Sequence, residues 1–189
     1  MPDFTNDIEN CLKALSNEGI ILYPTDTIWG IGCDATEPAA VEKIFQLKKR
    51  AAEQSMIVLV ADEKDILNYV ANPDPEALEY LRNTTKPTTV VYEGAIGIAE
   101  NLLGKDGSIA IRICKEDFCR QLIKRFRKPI VSTSANFSGE NPPANFSEIE
   151  QKIKEGVDYI VQYRQDDLQP AIPSSVIKWQ KGGPRILRS

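Results

Sequence analysis

Ile8, Cys11, Leu12 and Leu15 recur at helical spacing, and Gly19 closes that segment before the apolar run Ile20–Tyr23. The chain therefore opens with a helix that feeds a strand. The alternation then repeats. Ala40, Val41, Ile44 and Phe45 mark a helix over Ala39–Lys49, followed by a strand over Met56–Val60 and helices near Asp62–Val70 and Pro75–Leu81. Strands are expected at Thr88–Tyr92 and at Ile109–Ile113, the second rich in β-branched residues. A helix from Glu116 to Phe126, a strand Pro129–Ser132, a helix from about Glu148 to Lys154, and strands Tyr159–Gln162 and Ser175–Trp179 complete the order. Ser147 and Glu150 have the spacing of a capping box ahead of the helix near Glu148. Helices and strands intermingled in this way describe a mixed α/β protein.

Length and composition fit one domain. The chain has 189 residues, 42% hydrophobic and 26% charged, with no repeat, low-complexity tract or linker, so residues 1–189 are expected to form one unit around one core. The formal net charge of −4 argues against overall charge as the means of holding nucleic acid or anionic lipid. Histidine is absent altogether, which excludes an imidazole base, a Ser-His-Asp triad and any His-ligated metal. Neither a secretory pattern nor an apolar run of membrane-spanning length occurs, and a cytoplasmic protein without membrane contact is the expectation. The four cysteines form no C-x-x-C pair and read as small buried hydrophobes, so no metal site is expected.

Three segments concentrate polar chemistry. Tyr23–Asp34 follows a strand directly, where open α/β sheets place ligand loops, and holds two threonines, the Asp26 and Asp34 carboxylates and two glycines. Gly30-x-Gly32-x-x-Ala35 partly fits a dinucleotide fingerprint, but the loop is too long and polar for the required tight turn. It also reads as a capped loop in which Asp26 and Thr27 satisfy backbone N–H groups. Lys48 and Arg50 end a helix, where cations suit the macrodipole or, if the last turn unwinds, reach a polyphosphate. Ser132–Gly139 supplies four hydroxyls and an amide as an apolar strand gives way to a loop. No G-x-S-x-G elbow, phosphate-binding G-x-x-x-x-G-K-[ST] loop or S-x-x-K arrangement accompanies it, so these serines read as substrate ligands.

Pro24-Thr25-Asp26-Thr27-x-x-Gly30-x-Gly32, Lys48-x-Arg50, Ile109-Ala110-Ile111-Arg112-Ile113 and Ser132-x-Ser134-Ala135-Asn136, in this order, closely resemble the YrdC-like threonylcarbamoyl-AMP synthase family from about Gly19 to Arg188. The resemblance implies a twisted, mixed open sheet flanked by helices, with a central positively charged cavity. It implies synthesis of L-threonylcarbamoyl-AMP and pyrophosphate from L-threonine, bicarbonate and ATP with Mg2+, for N6-threonylcarbamoyladenosine modification of tRNA by downstream proteins. Carried over residue by residue, Thr27, Arg112, Ser132 and Ser174 are expected on threonine. Arg50, Gln54, Ser108, Ser134, Pro142 and Arg188 are expected on the nucleotide, and Lys48, Arg50, Ser134 and Asn136 in catalysis.

The chain departs from the family pattern in three places. Leu59 stands where many relatives carry a histidine, Ala51 replaces a common proline, and Trp29 replaces a frequent tyrosine. Two other classes compete. Arg120, Lys124, Arg125, Arg127 and Lys128 suggest a non-catalytic RNA-binding module or a weak RNA contact, although a solvated helix face is the favoured explanation, given the acidic total charge and the lack of interleaved aromatics beyond Phe126. A carbamoyl-adenylate module of the hydrogenase-maturation type has a related fold, but sits in longer chains with Cys-rich parts that are not seen here.

Overall fold

The computed structural model describes residues 3–49, 56–169, 172–180 and 183–189. Helices α1 (Thr5–Ser16), α2 (Pro38–Lys48), α3 (Glu63–Ile66), α4 (Pro75–Asn83), α5 (Asp117–Phe126) and α6 (Gln151–Glu155) alternate with strands β1 (Ile21–Tyr23), β2 (Gly30–Gly32), β3 (Ile57–Val60), β4 (Thr88–Tyr92), β5 (Ile109–Ile113), β6 (Ile130–Ser134), β7 (Tyr159–Ile160), β8 (Ser175–Gln180) and β9 (Gly183–Arg188). Local chemistry sets several boundaries. Pro38 opens α2, where its missing N–H costs nothing, and Lys49 ends it in the left-handed region at φ 50°. The Glu116 carboxylate accepts from the Cys119 N–H at 2.8 Å and caps α5.

The strands form a single mixed sheet in the order β7-β1-β2-β6-β3-β5-β4-β8-β9. Pairs β1/β7, β3/β5 and β4/β8 are parallel, and the other five are antiparallel. This is the mixed α/β sheet with flanking helices that the motifs imply. Period-two alternation gives the sheet two unlike faces. Val58, Ile111 and Val131 are wholly buried in the core, which also takes Phe118 and Leu122 of α5. Burying a side chain the size of Phe118 contributes about 2–3 kcal/mol. On the other face, Ser132 of β6, Ile57 of β3, Ala110 of β5 and Val91 of β4 fall in one cross-strand row.

Some expected elements differ. The expected 62–70 helix shrinks to the four residues of α3, and β7 holds two residues instead of four. β6 continues through Ser134, so Ser132 and Ser134 are strand residues on one face. The 147/150 capping box does not form: Asn145 Oδ1 accepts from the Ser147 N–H and hydroxyl ahead of a 3-10 turn over Phe146–Glu148, and α6 starts only at Gln151. The segment after Pro24 was expected to be all loop, but Gly30–Gly32 is a strand between β1 and β6. Its glycines answer crowding: a Cβ on Gly32 would lie 2.5 Å from the Val131 carbonyl oxygen and 2.7 Å from the Tyr23 ring. The dinucleotide fingerprint is thereby ruled out, because Gly30 and Gly32 lie inside a strand and not in a strand-to-helix turn.

Candidate functional site

A cavity of about 400 Å3 opens over the row of sheet residues just described. Ile57, Ala110 and Val91 make its apolar floor, and Arg112, Ser132 and Ser134 rise from the same strands. Thr27 enters from the loop after β1, Asn136 and Pro142 from the loop after β6, Ser174 from the residue before β8, and Arg188 from the end of β9. Eight of the expected site residues therefore meet in one place, although they span more than 160 positions of sequence.

Arg112 is the most unusual group. Its side chain is 3% exposed, and Nη2 lies 3.1 Å from Asp26 Oδ1 as an ion pair. The angle is poor, so Nε and Nη2 have no hydrogen-bond acceptor among the described residues. A buried guanidinium with unspent donors is suited to a carboxylate supplied from outside. Asp26 is held in turn by the Lys115 N–H at 3.3 Å and the Cys114 thiol at 3.4 Å.

The neutral groups are set by their own loops. Thr25 Oγ1 accepts from the Thr27 N–H at 3.0 Å, contacts Thr27 Oγ1 at 2.9 Å and donates to the Ile28 carbonyl at 2.8 Å. Thr27 is thus fixed by an ST-turn, with Thr25 in the capping role expected partly of Asp26. The Asn136 amide nitrogen donates to the carbonyls of Phe137 and Glu140, which leaves Oδ1 buried and without a partner among the described residues. Ser174 Oγ lies 2.9 Å from Thr89 Oγ1, and its carbonyl accepts from Nε and Nη2 of Arg188. Burial and the nearby Arg112 charge lower the pKa of Arg188, so the two guanidiniums feel one another across the cavity.

Two expected residues stand elsewhere. Lys48 is 1% exposed and does not line the cavity; its Nζ donates to the carbonyls of Ser134 and Asn136. In this position it holds the loop that carries Asn136. Ser108 lies outside the cavity, and its N–H donates to Asp106 Oδ1 at 3.1 Å in a surface turn. Arg50 and Gln54 lie outside the described residues. Sequence reasoning passed over Ile57, Ala110 and Val91, because only strand register reveals that apolar residues on three strands share a floor. Leu59 is fully buried next to Arg112 on the neighbouring strand and does not line the cavity.

A second cleft of about 420 Å3 lies between α3 and the end of α5. Lys124, Arg127 and Lys128 of the basic stripe line it, but Asp62 accepts from Arg120 and Lys124 at 2.9 Å each, and Asp34 from Lys128 at 2.6 Å. Three of the five cations are thus paired internally, and the Lys124 and Arg120 ammonium and guanidinium hold the Asp62 carboxyl below the usual aspartate range. That arrangement favours the solvated-face explanation over an RNA contact. Among the described residues, no helix is long and apolar enough to cross a membrane.

The Sua5/YciO/YrdC family profile, described as telomere recombination, matches residues 13–189. A threonylcarbamoyl-AMP synthase of Idiomarina loihiensis is 34% identical over 146 residues, which cover 76% of this chain and 78% of that protein. The crystal structure of P. abyssi Sua5 complexed with L-threonine superposes with a TM-score of 0.88 at 21% identity, over 100% of this chain and 55% of that one. HypF in its phosphate- and nucleotide-bound form superposes at 0.83 and 24% identity, over 96% of this chain and 28% of the longer one.

Proposed function

The chain belongs to the Sua5/YciO/YrdC family, and on that premise we infer that it is an L-threonylcarbamoyl-AMP synthase acting in tRNA threonylcarbamoyladenosine formation. L-Threonine and ATP are its substrates, bicarbonate supplies the carbamate carbon, and pyrophosphate leaves. The observation that carries this reading is the buried Arg112, with Nε and Nη2 lacking acceptors, in the same cavity as Arg188.

The residues divide the work by chemistry. Arg112 offers its free N–H groups to the threonine carboxylate, with Thr27, Ser132 and Ser174 around the rest of the amino acid. Ser134, Pro142 and Arg188 face the nucleotide, where the Arg188 guanidinium answers phosphate charge. The Asn136 Oδ1 acceptor takes an N–H or O–H of substrate. Arg50 and Gln54 follow α2 in sequence and are proposed as further nucleotide contacts. A carbamate oxygen of N-carboxythreonine bonds to the α-phosphorus of ATP while the bond to the pyrophosphate oxygen breaks. The carbamate is itself the nucleophile, so the protein's task is to align it and to balance charge that spreads onto the leaving pyrophosphate.

Magnesium fits this lining as a companion of ATP. Glu140 is the one carboxylate among the described residues of the wall, beside neutral hydroxyls. Magnesium keeps most of its waters and takes phosphate oxygens, so it requires no protein cage, and when bound it supplies charge neutralisation to the triphosphate. The product would pass to the tRNA-modification proteins of the cytoplasm.

The test is pyrophosphate release by the purified protein. Release is expected only when ATP, threonine, bicarbonate and magnesium are all present. Release without threonine, or protection from heating by carbamoyl phosphate and not by threonine, would refute the assignment and point to the HypF type of chemistry.

A further inference from the structure

Four described non-glycine residues adopt a left-handed backbone: Glu18, Lys49, Arg127 and Arg164. Lys49 and Arg127 are helix C-caps, and Glu18 follows the end of α1, places where this conformation is common. Arg164 is unlike them. It lies at φ 64° in the turn after β7, where glycine or asparagine would fit without strain. Strain of this kind persists where the surroundings impose it, and the side chain shows what is gained.

That side chain makes a bridge. Nη1 donates to the Thr25 carbonyl at 3.1 Å, while Nε and Nη2 grip Asp167 Oδ2 at 3.1 and 3.0 Å. The turn is anchored on its far side by Asp7 of α1, which is 5% exposed. Asp7 accepts from the N–H groups of Gln162 and Tyr163 at 2.9 Å each and from the Tyr159 hydroxyl at 2.6 Å. From a fixed base, therefore, a charged fork reaches the residue whose hydroxyl sets Thr27. Arg164 itself lines the outer crevice behind the loop and not the cavity.

We propose that Arg164 is a positioning residue for the amino-acid side of the site: through Thr25 it holds Thr27 where the threonine substrate meets it. This rests on the reading of Thr27 as a threonine contact. The left-handed backbone points Arg164 at the loop, so its cost to stability and its benefit to binding are separable. R164G removes both, and R164N offers a second residue that tolerates the conformation.

The experiment measures steady-state pyrophosphate release against threonine and against ATP, together with melting temperature, for wild type, R164G and R164N. Both variants should raise the threonine KM about ten-fold, the effect of losing one hydrogen bond from a charged donor. Their kcat and ATP KM should stay within about two-fold. Their melting temperatures should equal or exceed that of wild type, because strain is relieved. An unchanged threonine KM, or equal losses of kcat and melting temperature, would overturn the proposal by making the bridge idle or purely structural. A wild type that shows no saturation by threonine would instead overturn the functional reading, and this inference with it, before any variant is compared.

Discussion

Asp26→Asn tests the electrostatic centre of the site. The substitution keeps the shape of the side chain and deletes the only carboxylate seen to pair with Arg112 among the described residues, whose own side chain is 3% exposed. Nε and Nη2 already lack hydrogen-bond acceptors among the described residues, so no second carboxylate there takes over the charge. Stranding a buried charge costs about 3–5 kcal/mol, which for a chain of this size lowers the melting temperature by roughly 10 °C. Arg112→Met should cost less, because Asp26 retains the Lys115 N–H and the Cys114 thiol. The double variant D26N/R112M, with both charges gone, should be more stable than D26N alone by about 2 kcal/mol. Urea denaturation of the four proteins closes the cycle. Threonine at about a hundred times its Kd should stabilise wild type by about 2.7 kcal/mol and R112M hardly at all. If D26N unfolds within about 1 kcal/mol of wild type and the coupling is near zero, the pair behaves as an exposed one and the buried-anchor argument fails.

Arg188→Ala should raise the KM for ATP about ten-fold and that for threonine by less, since its guanidinium is the one assigned to phosphate but also holds the Ser174 carbonyl; titration with each substrate checks this, and a larger effect on threonine than on ATP would remove the division of labour. Glu116→Gln probes pH. Burial raises the Glu116 pKa above the ordinary glutamate value of 4.5, so the folded state binds this proton more tightly than the unfolded state does. Its contribution is therefore intact below that value and is lost as pH rises through the raised folded pKa. Glutamine still accepts from the Cys119 N–H without a charge, so E116Q should match wild type at low pH, gain on it as pH rises above 4.5 and level off beyond the raised folded pKa, read by denaturant midpoints. A gap that opens on acidification instead would reverse the sign and refute the burial argument.

Much of this fold was legible because its strands and helices carry unlike periods. β4 and β5 fall at the residues that alternation predicts, and α5 differs by one residue at its start. Failures cluster where local signal is weak. β2 is three residues long, two of them glycine, and exists because β1 and β6 pair on either side of it. β9 carries Gly183 and Pro184 and is a strand only by pairing with β8. At the site, polar residues in loops announced themselves, whereas the contacts of Lys48 did not. A lysine at a helix end looks like a charge for a ligand, and only the fold shows two carbonyls of another segment converging on it. Arg164 gave no signal, since a turn arginine is ordinary until its φ and its Thr25 contact are known.

The arrangement also explains how a chain with no histidine performs adenylation. Its cysteines are equally poor candidates for covalent chemistry, being fully buried, with the thiols of Cys11, Cys33 and Cys119 pushed upward by desolvation. What remains is placement and charge, and strand order supplies both: because β6, β3, β5, β4 and β8 are neighbours, Ser132, Arg112 and Ser174 reach one cavity from three distant stretches of sequence. Leu59 fits the same logic. It provides no hydrogen bond to substrate, but it lies fully buried beside Arg112 on the neighbouring strand and keeps that flank free of water. Attraction between a guanidinium and a carboxylate grows as the surrounding dielectric falls. The leucine would therefore strengthen the contact proposed between Arg112 and the threonine carboxylate.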